Sequence, residues 1–239
     1  MTALQENLER VEAAVAAACR AAGRSRNEIE LMAVTKTHPA TVLIEAAALG
    51  LQLFGENRVQ EFAHKAADLG PLRADARCHL IGQLQSNKAH RAAELFDGMD
   101  SLDSLRLAKR LDEAAARAGK RLPVLIEVKL SPEETKAGVD PESAEAAQLL
   151  ERLPDLRHLE ACGLMTIAPW GAPEEVTRAC FRSLRQWRDR WAQAHAKLSL
   201  GVLSMGMSGD FPLAIAEGAT RIRVGSALFG KRASQPEPE

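Results

Sequence analysis

The chain has no surplus of charge of either sign: 31 Lys and Arg stand against 32 Asp and Glu, for a formal net charge of −1. That balance lacks the basic excess that suits a phosphate backbone and the acidic excess of a solvating tail, so no nucleic-acid partner is expected. Cysteine is scarce. Cys19, Cys78, Cys162 and Cys180 lie far apart and form no CxxC pair, which argues against a disulfide framework and for buried thiols in a reducing compartment. No run approaches the roughly 18 apolar residues of a membrane span, and the opening MTALQENLERVEAA has no charged region followed by an apolar stretch. A cytoplasmic protein with no membrane contact is the expectation. Complete nucleotide fingerprints are missing too, since Gly206-x-x-Gly209 matches none and no GKS or GKT loop occurs.

What the sequence does hold is 239 residues, 46% of them hydrophobic, enough for a sizeable core. Thr2 with Gln5 has the spacing of a capping box. Leu4, Leu8, Val11 and Val15 then recur at helical spacing as far as Gly23, which predicts an opening amphipathic helix. After it, eight short apolar runs at 29–34, 51–54, 78–81, 96–99, 124–128, 159–165, 201–205 and 221–224 alternate with alanine-rich helical stretches such as 39–49 and 104–118. Eight strand–helix units in this length predict an α/β fold, a single (β/α)8 TIM barrel preceded by an extra N-terminal helix. A doubly wound open sheet is the runner-up. No Pro/Gly/Ser-rich linker and no close repeat divides the chain, so one domain over 1–232 is expected, with 233–239 (ASQPEPE) as a disordered tail.

Barrel chemistry sits where strands end on the C-terminal face. The residues following the apolar runs there are Lys36, Asn57, Gln83, Thr166, Ser204 with Ser208, Arg223, Gly225 and Ser226. Lys36 leaves the run LMAV directly. At such a junction a lysine is commonly just solvated, but at the mouth of a barrel partial desolvation lowers its pKa and frees the amine to attack an aldehyde. Gly225-Ser226 opens a short helical turn after the last strand, a place where barrels often bind phosphate through backbone N–H groups, and Ser204 could add a hydroxyl. An ordinary strand-to-helix turn is the competing explanation. Strand alternation puts Arg221 and Arg223 on one side, so at least one should meet an anionic or acceptor group, while Arg221 at the strand start could simply form an ion pair. Cys78 and His79 are strand neighbours on opposite faces and cannot pair as nucleophile and base. His90 and Glu94 suit a solvated helix face better than a metal site, and no metal is expected. Phe181, Leu184, Trp187 and Trp191 are expected to form a core-facing stripe, with arginines on the outer face.

Taken together, AVTKTHP at 33–39, FGENRVQE at 54–61, HLIGQLQSNK at 79–88, ETKAG at 134–138, GLMTIAP at 163–169, and SMGMSGD through RIRVGSALFG at 204–230 resemble the pyridoxal phosphate homeostasis family (YggS/PROSC), a relative of the alanine racemase barrel domain. The resemblance covers nearly the whole chain. It implies a fold type III barrel that binds pyridoxal 5'-phosphate (PLP) as a reversible Schiff base on Lys36. It further implies phosphate contacts from Ser204, Gly225 and Ser226, a ring or outer contact from Asn57, and Arg223 facing the pyridine nitrogen. Gln83, where many relatives have proline, and His38 depart from the pattern, and Lys136 matches a basic family position. A donor-only arginine at that nitrogen favours an unprotonated ring, which is a weaker electron sink. The implied function is a PLP-homeostasis carrier without efficient catalysis, PLP-dependent apo-enzymes as recipients, and a monomer or weak dimer. The alternatives are a fold type III PLP enzyme, such as an amino-acid racemase or decarboxylase, and a phosphate-binding barrel enzyme without PLP. Two-base racemisation needs an acid/base group on each face of the cofactor. In the racemases the second is a tyrosine of a separate C-terminal domain, and this sequence has no tyrosine.

Overall fold

The computed structural model describes residues 2–131 and 137–230; Lys136 and the expected tail at 233–239 lie outside them. The opening helix, α1 (Ala3–Ala21), starts where the Thr2 side chain accepts a hydrogen bond from the Gln5 backbone N–H. It buries Leu4, Val11, Val15 and Cys19. Among the described residues eight strands follow: β1 (Glu30–Val34), β2 (Leu53–Glu56), β3 (Arg77–Leu80), β4 (Gly98–Leu102), β5 (Leu122–Glu127), β6 (Leu159–Met165), β7 (Val202–Met207) and β8 (Arg221–Val224). They pair in chain order and all in parallel, and β8 returns to β1 to close a barrel. The (β/α)8 barrel with its extra N-terminal helix is therefore the observed fold.

Helices cover the outside: α2 (Ala40–Ala48), α3 (Val59–Asp68), α4 (Leu72–Asp75), α5 (Ala89–Leu95), α6 (Leu105–Arg117), α7 (Ala144–Arg152), α8 (Glu174–Ala194), α9 (Phe211–Ala216) and α10 (Ser226–Phe229). Their apolar stripes and the outward faces of the strands form the main core, in which Phe54, Phe62, Phe96 and Phe181 are fully buried. Burying side chains of this size contributes about 1.5–3 kcal/mol each. The α8 stripe is as expected: Phe181, Leu184 and Trp191 are buried, while Arg190 stacks over the ring of Trp187. His90 and Glu94 form an exposed pair on α5. No helix among the described residues is long and apolar enough to cross a membrane.

Two strands are displaced from the apolar runs that announced them, for physical reasons. β4 starts at Gly98 because Phe96 belongs to the outer layer, stacking on Phe62 at 4.7 Å between ring centroids. The strand proper carries polar Asp100 and Ser101, both buried. β2 extends to Glu56, a buried carboxylate neutralised by Lys65 of α3. Glycine matters where strands crowd: a Cβ on Gly163 would lie 1.9 Å from the Val202 carbonyl oxygen, so β6 can approach β7 only without a side chain there.

The barrel interior is polar at its lower end. Arg221 of β8 donates to both oxygens of Asp100 on β4 at 3.0 Å each, and its Nε donates to Glu30 of β1 at 2.8 Å. Strands β4 and β8 are diametrically opposed, so this contact crosses the barrel. His79 adds a second partner for Asp100 at 2.8 Å, and its ring occupies the space that a Cβ on Gly98 would need. Although burial alone would raise it, the charges of Arg221 and His79 hold the Asp100 carboxyl well below the usual carboxylate range. Asp100→Ala strands the buried Arg221 and His79 without their shared anion. A loss of about 3–5 kcal/mol in urea-unfolding stability is expected, and a loss under 1 kcal/mol would mean that the cross-barrel pair is dispensable.

Candidate functional site

The upper end of the barrel opens into a cavity of about 700 Å³. β1 stops at Val34 and delivers Lys36 to the cavity wall; β2 delivers Asn57, and the loop after β3 brings Gly82 and Gln83. The Gly82 backbone packs so closely on Asn57 that a Cβ would sit 2.3 Å from the Asn57 carbonyl oxygen. Arg223, Gly225 and Ser226 line the wall beside Lys36, because β8 pairs with β1, and Ser208 joins them. Five of the six expected site residues, Lys36, Asn57, Arg223, Gly225 and Ser226, thus share one cavity.

Ser204 does not join them. It is the third residue of β7 and fully buried, and its hydroxyl and carbonyl oxygens accept from Arg223 at 2.9 and 2.7 Å. The Thr166 carbonyl accepts from the other terminal nitrogen of Arg223 at 2.9 Å. Ser204 and Thr166 therefore hold the guanidinium from beneath. The serine that the β7 end contributes to the cavity wall is Ser208, one residue past the strand, whose hydroxyl oxygen accepts from the N–H groups of Gly225 at 3.3 Å and Ala227 at 3.2 Å. Strand arithmetic could have found it, because a residue beyond the strand end faces the mouth whereas one three residues inside faces the barrel filling.

Glu127 and Lys129, which no motif singled out, also line the cavity. Glu127 ends β5 and is 6% exposed; among the described residues no hydrogen bond reaches its carboxyl. Burial pushes it up from 4.5 to about 7, with Asp103 adding to the rise and the Arg223 cation opposing it. Arg223 is lowered by its own burial but stays a cation. The signal for Glu127 was a lone carboxylate closing an otherwise apolar run. Among the described residues of the lining, the three cations Lys36, Lys129 and Arg223 stand against the one carboxylate of Glu127. At the mouth stand Ile167 and Trp170, the latter 89% exposed. Among the described residues no group of three His, Cys, Asp or Glu could hold a metal ion.

The sequence profile of the family described as "Alanine racemase, N-terminal domain" matches residues 2–233. The chain belongs to this family. Within the alanine racemase N-terminal domain family it is similar to the pyridoxal phosphate homeostasis protein of Aquifex aeolicus (strain VF5), with 42% identity covering 95% of this chain and 97% of the relative. It is also similar to the protein of that name from Escherichia coli (strain K12), with 38% identity over 97% and 98% of the two chains. PipY of Synechococcus elongatus PCC7942, solved with PLP bound, superposes with a TM-score of 0.84 at 43% identity, over 95% of this chain and all of PipY. Alanine racemase of Clostridium difficile 630 shares the family fold at 17% identity and a TM-score of 0.75, over 97% of this chain and 57% of the racemase.

Between 4.5, its ordinary value, and about 7, native Glu127 keeps a proton that the unfolded chain has released, so native stability falls as pH rises through that window. Above it the native state carries a buried charge that no hydrogen-bond donor among the described residues reaches. Glu127→Gln is expected to stabilise the protein at pH 8, by on the order of 1–3 kcal/mol, and to change little at pH 4.5. Equal urea midpoints for wild type and variant at pH 8 would contradict this.

Proposed function

We propose that the chain is a PLP-binding homeostasis protein of the cytoplasm, which holds the cofactor reversibly and hands it to apo-enzymes. The observation that carries this reading is the convergence, in one net-cationic cavity, of a strand-end lysine, a buried arginine and a corner of converging backbone donors. The fit to PLP rests on that donor set. A hydroxyl oxygen that already receives two backbone N–H groups, at Ser208, marks a position suited to an anionic oxygen, and the cation surplus matches a phosphate dianion. When bound, PLP supplies an aldehyde that links covalently to a primary amine and a ring that withdraws electrons.

In this reading Lys36 is the covalent anchor. Ser226, Gly225 and Ser208 hold the phosphate, with Ser208 in the role first expected of Ser204. Ser204 itself acts through Arg223, whose direction it fixes. Arg223, a permanent donor, meets the ring nitrogen as an acceptor and keeps a proton off it, which favours storage over turnover. Asn57 contacts the ring side. Cys19, Cys78, Cys162 and Cys180 form no disulfide, which suits a reducing compartment. Residues 1–232 act as one cofactor-binding domain, and a monomer or weak dimer suffices because every proposed contact comes from one chain. Relatives named as homeostasis proteins and a PLP-bound structure of PipY support the carrier over a racemase or decarboxylase.

Borohydride added to the PLP-loaded protein is expected to fix the cofactor on Lys36 and not on Lys129, the other lysine of the cavity lining among the described residues. Peptide mapping that finds the label on Lys129 alone would sink the assignment. Lys36→Ala should lose the visible absorption of the linked cofactor yet retain weaker binding, because the phosphate contacts do not involve the amine. Ser226→Asp should weaken binding at least tenfold, on the order of 1.4 kcal/mol or more, by setting a carboxylate against the phosphate. An unchanged dissociation constant would put the phosphate elsewhere.

A further inference from the structure

Lys36 sits between two threonines, and both of its peptide bonds are tied to the same buried ion cluster. On the side preceding it, the Thr35 carbonyl oxygen accepts from Lys65 Nζ at 2.8 Å, and the Thr35 hydroxyl donates to Glu56 Oε1 at 2.7 Å. On the side following it, the Thr37 N–H donates to the Glu61 carboxylate. Lys65 joins the halves: its ammonium lies 2.9 and 3.0 Å from the two oxygens of Glu56 and 2.7 Å from Glu61 Oε1. Glu56 and Lys65 are buried. Thr37 meanwhile has φ +67°, and among the described residues no other non-glycine residue has a positive φ.

Neither feature is explained by stability. A β-branched residue in the left-handed region is strained and persists only where its surroundings impose it. A buried ion cluster is seldom more stable than the apolar packing that could replace it. Both costs fall on the residues that bracket one lysine. We propose that Glu56, Lys65 and Glu61 form a positioning cluster that holds the backbone on either side of Lys36 and so fixes where its amine enters the cavity. The inference rests on Lys36 being the reactive amine of the pocket. Glu61 is the most direct lever, since its carboxylate accepts the Thr37 N–H and maintains the left-handed turn. Glu56 and Lys65 fix the strand end from which that turn departs. Without the cluster Thr37 can relax toward ordinary φ values, and the lysine stem leaves β1 in another direction.

The experiment reads the amine itself. Wild type, Glu61→Gln and Glu61→Ala are labelled in two ways, by PLP with borohydride and by formaldehyde with cyanoborohydride, and the rates at Lys36 and Lys129 are followed by peptide mass spectrometry. Melting temperatures are recorded on the same samples. Glu61→Ala is expected to slow labelling of Lys36 by about tenfold and to raise the share of label on Lys129; misplacement of a reacting group commonly costs rate on this scale. Glu61→Gln, which keeps an acceptor for the Thr37 N–H but loses the charge facing Lys65, should slow it by about threefold. A merely structural role would lower the melting temperature and leave the Lys36 to Lys129 ratio unmoved, and that result overturns the proposal. Should Glu61→Ala fail to fold, the isosteric Glu61→Gln decides by the same ratio. If PLP does not label wild-type Lys36 while formaldehyde labels it in a Glu61-dependent manner, the cofactor assignment fails and the positioning role stands.

Discussion

Two arginines point into the same barrel from one short strand, and the rest of the interior answers to them. Arg221 and Arg223 are both nearly fully buried, and a buried cation is tolerable only with an anion or well-directed acceptors around it. The lower one is neutralised across the full width of the barrel by Asp100, with Glu30 at its side. Arg223, the upper one, receives only neutral oxygens, from Ser204 and Thr166, and a carboxylate, Glu127, that makes no ion pair with it. The floor is thus closed electrostatically while the ceiling keeps an excess of positive potential. In the proposed function, a dianionic ligand entering from above would meet the three described cations of the lining at this end.

This division also explains what could be read from the chain. The strands β6 and β8 coincide with the runs expected for them: β8 is buried throughout, and the buried second half of β6, Gly163 to Met165, carries the apolar signal although Glu160 near its start is exposed. β2 and β4 were harder, since Glu56, Asp100 and Ser101 are buried through partners far away in sequence, and composition cannot announce a partner. Among the site residues, Lys36, Asn57, Arg223, Gly225 and Ser226 were legible from their place at strand ends. Ser204 and Ser208 both stood out near the end of the same strand, and only the register separates the one in the barrel filling from the one at the mouth. Glu127 and Lys129 stayed hidden: a single charged residue beside an apolar run has many ordinary explanations until the cavity shows which way it faces.

The region around Lys36 combines rigidity with access. A reactive amine must be reachable, and Lys36 accordingly lies at the wall of an open cavity with Thr37 exposed beside it, where water competes for backbone groups. Fixing such a segment by apolar packing would close the mouth. Anchoring it from behind, through Lys65 and Glu61 of α3 and the buried Glu56, leaves the front of the pocket open, because none of the three lines the cavity.

Trp170 is so exposed that its indole contributes almost nothing to holding the barrel together. The mouth and the foundation are therefore physically separable in what they contribute to stability. Substitutions at the rim can accumulate without threatening the folded state, while those at Asp100 or Gly163 meet an immediate penalty. A lineage could thus revise what its barrel greets at the entrance, partner by partner, and inherit the chamber beneath unchanged.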